Sequence, residues 1–348
     1  MIDYQNKSTV NAPSLSMLLA ALGLCFLLLA GCKKPQQEEP TKSKPATALE
    51  PVTICRSTTM LLSLVVAEKQ GFFAGQGLAV TAREFAVGRE ALEAMFKGEC
   101  EFASAAEPPV VEYALQRNDF RILTAMQSSD NLSRLVARAD RGIAKPADLR
   151  GKRIATVRGT APHYFLKLFL DKQGIPQSEV TVEFLKGDAL LSAFSSGQVD
   201  AIAMTNKVIG QAQQALGNKA VLMEAPGLCR NYYLLLATTG LIDKRPTVAV
   251  QFLRALAQAE DLINRSPGEA EAIAGDYQKL PMAEIKELWG MYEQRLSLDH
   301  AMLMGLEDTA RWYVQQSDKP NLPIPNLMNL IHVESLRAVK PDAIRLDK

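Results

Sequence analysis

KRIATVRGTAPHYFLKLFLDKQGIPQSEVTVEFLKGDALLSAFSSGQVDAIAM, residues 152–204, is the stretch whose reading decides the fold. An apolar run from Ile154 to Val157 ends at Arg158-Gly159-Thr160. Tyr164, Phe165, Leu168 and Phe169 then recur at helical spacing until Gly174. A second strand, Val180 to Phe184, leads to Gly187 and a short amphipathic helix closed by Gly197. A third strand, Val199 to Met204, completes a β-α-β-α-β unit, the pattern of a parallel sheet with crossover helices.

Working outward, residues 52–104 repeat this unit. Lys69-Gln70-Gly71 matches Lys172-Gln173-Gly174, 103 residues later, and Gly88 and Gly98 match Gly187 and Gly197, each 99 residues later. Glu101-Phe102-Ala103 answers Asp200-Ala201-Ile202. A repeat this long is no solenoid period, which runs about 20–50 residues. It predicts two α/β lobes, with a ligand cleft where the carboxyl ends of their strands face each other.

The 348 residues suffice for two domains, and a 47% apolar, 22% charged composition is that of a globular chain. A net charge of +1 with no basic stripe argues against nucleic acid. Met17 to Leu29 is an apolar run of signal-peptide length, and Leu29-Ala30-Gly31-Cys32 after it resembles a bacterial lipobox. The resemblance implies a signal peptide over 1–32, cleavage before Cys32 and acylation there. The polar, Pro-rich segment 33–50 is expected to be a disordered tether, leaving an extracytoplasmic, lipid-anchored domain. Cys55, Cys100 and Cys229 remain, an odd number whose spacing fits no metal site. They are expected to be buried thiols acting as small apolar residues, with no disulfide needed for folding.

No G-x-S-x-G, P-loop, H-E-x-x-H or paired C-x-x-C occurs, so no catalytic set, metal site or cofactor is expected. At the predicted strand ends facing the cleft, Glu107 and Arg158 are the charged residues expected to meet a ligand, beside Arg56, Arg89, Glu84 and Asp188. His163, one turn into its helix, reads first as structural and second as a ligand contact. Hydroxyls at Ser57, Thr58, Thr59 and Thr160 sit at helix starts, where caps and ligand contacts use the same geometry. Trp289 and Trp312 fall in late helices, away from the expected cleft, and no cluster of basic groups stands out.

The segments V-T-I at Val52, A-E-K-Q-G-F-F ending at Phe73, G-R-E-A-L-E-A-M-F-K-G at Gly88 to Gly98 and D-L-R-G-K-R-I-A-T-V-R-G-T at Asp148 to Thr160 form a set. G-Q-V-D-A at Gly197 and L-R-A-V-K-P-D-A-I at Leu336 to Ile344 complete it. Together they resemble the nitrate/sulfonate/taurine-type periplasmic binding proteins, also called thiamine-precursor-binding-like, across residues 51–348. The resemblance implies a type II periplasmic-binding fold, with 51–134 and 236–348 as the first lobe and 135–235 as the second. It places ligand loops at Ser57-Thr58-Thr59, Gly88, Ser104-Ala105, Ser128, Gly159-Thr160-Ala161 and Thr205-Asn206. It implies a monomeric solute-binding protein, not an enzyme, that captures a small polar organic or anionic ligand. The partners implied are the permease and ATPase subunits of an ABC importer. A receptor for a membrane signalling partner is the alternative, and an enzyme on the same fold is a further one.

Overall fold

The computed structural model describes residues 48–57, 61–85, 87–317 and 321–346. Cys32 and the leader, most of the tether, and Thr58 and Thr59 lie outside the described residues. The tether's expected last residue, Glu50, already opens a strand. From there the chain forms β1 (Glu50–Ser57), α1 (Leu62–Lys69), α2 (Phe72–Gly75), β2 (Leu78–Phe85), α3 (Gly88–Phe96), β3 (Phe102–Ala106), α4 (Glu107–Ala114) and β4 (Phe120–Ser129). Next come β5 (Ser133–Arg138), β6 (Arg153–Thr156), α5 (Ala161–Lys172), β7 (Thr181–Phe184), α6 (Gly187–Ser196), β8 (Ala201–Thr205), α7 (Asn206–Leu216) and β9 (Ala220–Met223). β10 (Asn231–Thr238) is followed by α8 (Thr239–Lys244), α9 (Pro246–Arg265), α10 (Pro267–Gln278), α11 (Met282–Trp289), β11 (Glu293–Asp299), α12 (His300–Gln316), α13 (Val333–Arg337) and β12 (Ile344–Arg345). No helix among the described residues is long and apolar enough to cross a membrane.

These strands make two sheets, a seven-stranded one in the order β12-β11-β4-β10-β3-β1-β2 and a five-stranded one in the order β7-β6-β8-β5-β9. Two sheets flanked by helices are the two lobes expected. β10 lies wholly in the larger sheet, and the strands of the smaller sheet run from Ser133 to Met223. Both sheets are mixed rather than parallel. β1 pairs parallel with β2 and β3, and β6 with β7 and β8, but β10 and β5 run antiparallel to their neighbours. The cause is the route of the chain. Ser133 stands opposite Thr205, the last residue of β8, and Tyr233 opposite Ala106, the last of β3. A strand arriving from the other lobe enters at the carboxyl ends of the resident strands and must run back against them.

The repeat survives at the level of single hydrogen bonds. The Glu101 carboxylate accepts the Thr53 N–H at 2.9 Å while the Glu101 N–H donates to the Thr53 carbonyl at 3.1 Å. In the second lobe the Asp200 carboxylate accepts the Arg153 N–H at 2.9 Å, and the Asp200 N–H donates to the Arg153 carbonyl at 2.8 Å. Gly98 and Gly197, at φ 79° and 80°, end equivalent helices in the left-handed conformation that disfavours a side chain.

The larger core centres on Phe102, stacked on Phe252 at 4.3 Å, with Phe73 4.7 Å from Phe252. The smaller sheet buries Phe165, Phe169 and Leu170 of α5 on one face and Leu190, Phe194 and Ile209 on the other. Each such side chain contributes about 1.5–3 kcal/mol on burial. The expectation of three free thiols is overturned: Cys55 and Cys100 are disulfide-bonded, their Cα atoms 5.8 Å apart, and Cys229 is free and buried. Cys55 faces the core from β1, and Cys100 lies two residues before the neighbouring β3, which brings the pair within the roughly 7 Å that bridging requires.

Candidate functional site

Four helices begin at one place. Val87, Ala106, Thr160 and Lys186 are the N-cap residues of α3, α4, α5 and α6, and no side chain caps any of them. All four line a single cavity of about 400 Å³, with Ser57, Gly88, Arg158, Gly159 and Ala161. Its walls come from both lobes, so it is the cleft. The positive ends of the helix dipoles favour negative charge there, and so do the first-turn N–H groups, although Pro108 and Pro109 of α4 and Pro162 of α5 carry none.

Gly88 and Gly159 are required there. A Cβ on Gly88 would stand 2.9 Å from the Ala105 backbone. Gly159 has φ +72°, and its Cβ would meet the Tyr313 hydroxyl at 2.8 Å. Thr160 does not cap α5 with its side chain: the hydroxyl donates to the Val157 carbonyl at 2.7 Å, tightening the loop.

A second cavity of about 350 Å³ adjoins the first and shares Arg89, Arg158, Gly159 and Lys186 with it. Its far wall carries His163, Trp312 and Tyr313. Arg89 Nη1 donates to Glu112 at 2.9 Å, its Nη2 pairs with the other carboxylate oxygen, and the Tyr313 hydroxyl donates to the same oxygen. Burial pushes the Glu112 carboxyl up, but the hydrogen bonds from Arg89 and Tyr313 win and hold it below its ordinary value. Arg89 is therefore neutralised. Arg158 and Lys186 form no ion pair among the described residues, and Arg158 lies 3.8 Å over the Phe184 ring. Among the described residues, the cleft's uncompensated positive charge is theirs.

His163 accepts the Gly159 N–H on Nδ1 at 3.2 Å, and its ring meets Phe184 and Trp312 edge-on at 4.8 and 4.9 Å. Burial, and then the charge of Arg158, pull its pKa to about 4, so the ring is neutral and shapes the Gly159 turn. It both supports the loop and lines the second cavity. From the other lobe, Tyr313 comes within 3.4 Å of the Gly159 carbonyl and Trp312 within 5.2 Å of Tyr164. The two lobes touch through these aromatics.

The remaining sequence candidates stand elsewhere. Glu107, expected to face the ligand, lines neither cavity. It is buried against Gly305 of α12, burial pushes its carboxyl up to about 8 against the N–H that Tyr232 donates, and Oε1 has no partner. As the first residue of α4 it packs toward α12 rather than into the cavity. Ser104 and Ala105 lie buried on β3 beneath Gly88, and Ser128 is buried on β4 opposite Tyr232. Thr205 is exposed, and Asn206 donates to the Asn131 carbonyl at 3.0 Å and to the Met291 sulfur at 2.7 Å. Asn206 thus ties α7 to one inter-sheet connection and to the other lobe. Two expectations are corrected. Trp312 lines the cleft despite its place in a late helix, and Arg158 and Lys186 are basic groups at one cavity. Only the tertiary path of α12 brings Trp312 there. Lys186 is signalled by its place before Gly187, the counterpart of Gly88.

The family model described as NMT1/THI5 like matches residues 58–270. A putative binding protein of Brucella abortus is 22% identical over 224 residues, covering 64% of this chain and 69% of that protein. The taurine-binding periplasmic protein of Escherichia coli is 27% identical over 149 residues, 43% of this chain and 46% of that protein. Among solved structures, the alkanesulfonate-binding protein of Xanthomonas axonopodis pv. citri bound to MOPS superposes with a TM-score of 0.63 at 20% identity, covering 88% of this chain and all of that one.

Proposed function

We propose that this chain, which belongs to the NMT1/THI5-like family, holds a small organic sulfonate in its cleft and hands it to an ABC importer. The observation that carries this is the convergence of four helix N-termini on one cavity that also holds Arg158 and Lys186, which form no ion pair among the described residues. A sulfonate has three acceptor oxygens and a permanent negative charge. It suits free N–H groups from both lobes and two cations without needing a general base or a metal. Capture by both lobes at once makes a bound anion favour closure, the differential contact a transport receptor needs. The names of the taurine- and sulfonate-binding relatives support the same ligand class.

The site we assign is Ser57, Gly88, Arg158, Gly159, Thr160, Ala161 and Lys186, with Arg89 and His163 as its supports. Anchoring is part of the proposal and rests on Leu29-Ala30-Gly31-Cys32 alone: acylation of Cys32 would hold the protein at the outer face of a membrane. Cys32→Ser should release the protein from the membrane fraction, and an unmodified, uncleaved leader in the native protein would refute the anchor.

Titration calorimetry with taurine and ethanesulfonate tests the ligand. A sulfonate at a hundred times its Kd should stabilise the fold by about 2.7 kcal/mol. Lys186→Ala should weaken binding about tenfold with the melting temperature unchanged, the value of one charge-assisted hydrogen bond. No binding of any sulfonate at millimolar concentration would overturn the reading.

A further inference from the structure

The anion cavity explains where a sulfonate group sits but not what lies beyond it. The second cavity, of about 350 Å³, opens off the same rim at Arg158, Gly159 and Lys186. A two-carbon sulfonate seated among the helix N-termini would leave it unfilled.

Its far wall is aromatic. Trp312, His163 and Tyr313 line it, with Trp312 set edge-on to His163 at 4.9 Å and to Tyr313 at 5.3 Å. Trp312 is 3% exposed, and its indole N–H is buried with no hydrogen-bond partner. Burying an indole donor unpaired is costly unless something else accepts from it. Tyr313 is committed to Glu112, and His163 Nδ1 to the Gly159 N–H, which leaves the proton of the neutral ring on Nε2. What the wall offers is aromatic surface with two donors that have no partner among the described residues, the Trp312 indole N–H and the His163 Nε2–H.

Resting on the sulfonate reading, we infer that the ligand is a ring-bearing sulfonate. Its anion lies at the four helix N-termini and its ring in the aromatic annex against Trp312. Trp312 is then the residue that selects the organic part, while Arg158 and Lys186 select the charge. The two selections come from different lobes, since Trp312 rides on α12 and the cations lie at the starts of α5 and α6.

Calorimetry with benzenesulfonate, ethanesulfonate and taurine separates the two claims. Benzenesulfonate is expected to bind about tenfold or more tighter than ethanesulfonate, the worth of one good aromatic contact. Trp312→Ala should erase that gap while leaving ethanesulfonate within about twofold, and Trp312→Phe, which keeps a ring, should retain most of it. Lys186→Ala should weaken both ligands alike. Because Trp312 is buried, a second measurement avoids its removal. The chain has two tryptophans, so Trp289→Phe leaves Trp312 as sole reporter, and its emission should shift with benzenesulfonate and stay put with ethanesulfonate. Equal affinities and an unmoved emission would overturn the ring inference and leave the sulfonate reading standing. Failure of all three probes to bind would overturn the sulfonate reading, and this inference with it.

Discussion

The two lobes share a hydrogen-bond frame but treat their cations in opposite ways. In the first lobe Arg56, at the end of β1, is buried and paired with Glu68 at 2.9 Å and Glu84 at 3.0 Å, with Tyr277 3.0 Å from the same guanidinium. Arg89 is likewise committed to Glu112. In the second lobe Arg158 and Lys186, at corresponding helix starts, have no carboxylate among the described residues. One duplicated frame has thus become a self-neutralised half and a half that presents charge.

The covalent closure differs as well. Aligned through the Glu101–Thr53 and Asp200–Arg153 pairs, Cys55 and Cys100 correspond to Ala155 and Val199, both fully buried. The first lobe closes β1 onto β3 with a disulfide, the second by packing alone. The largest effect expected is therefore from Cys55→Ala with Cys100→Ala. Loop entropy for a 45-residue separation predicts a loss of about 2–4 kcal/mol. Melting followed with and without reductant checks this, and Val199→Ala should be indifferent to reductant. A reductant-insensitive wild type would erase the contrast.

The lobes also carry opposite pH slopes at their cleft helices. Glu107 is raised to about 8, so its contribution to stability is complete below its ordinary value near 4.5 and is lost as pH rises through 8. His163 is lowered to about 4, so its contribution is present above about 6.5 and is lost as pH falls toward 4. Glu107→Gln should flatten the alkaline limb by on the order of 2 kcal/mol, and His163→Gln should flatten the acid limb by less. Denaturant midpoints between about pH 4 and pH 9 decide it, and parallel curves for the Glu107→Gln variant and wild type would remove Glu107 from the account.

The smallest effect sharpens the cation contrast. Arg56→Ala should cost about 1–2 kcal/mol, discounted because Glu68 and Glu84 are half-exposed, and should leave sulfonate affinity unchanged. Lys186→Ala should do the reverse. Parallel melting and calorimetry on the pair would show whether the lobes divide the work this way.

The sequence displayed the frame because its signals are local. Gly71, Gly98, Gly174 and Gly197 end helices at left-handed φ, and the acid of each Glu101/Asp200 pair sits one residue before its strand. Strand β10 was legible to the residue, since NYYLLLAT is extended and largely apolar and is buried at all but Tyr233 and Thr238. Gly88 and the Gly159 loop reached the cleft because strand ends and helix starts define it. The site's aromatic wall was not legible, because Trp312 and Tyr313 lie about 150 residues from Gly159 and nothing in α12's own pattern marks a cleft face. Nor was the disulfide. Three cysteines allow three pairings, and only the β1–β3 register singles out Cys55 with Cys100. Glu107 misled, as its place at a helix start is that of a ligand contact while its side chain is buried against Gly305 of α12.

One feature of the larger sheet bears on how the protein comes into being. β10 sits between β3 and β4, pairing with both, yet is made only after every strand of the five-stranded sheet. Until it arrives, β3 and β4 are neighbours of a gap, and the apolar edges facing that gap are open to mispairing. The smaller sheet, from Ser133 to Met223, waits for nothing later in the chain. Folding is thus expected to run against the order of synthesis: the lobe begun second finishes first, and the lobe begun first is sealed by a strand threaded into its middle.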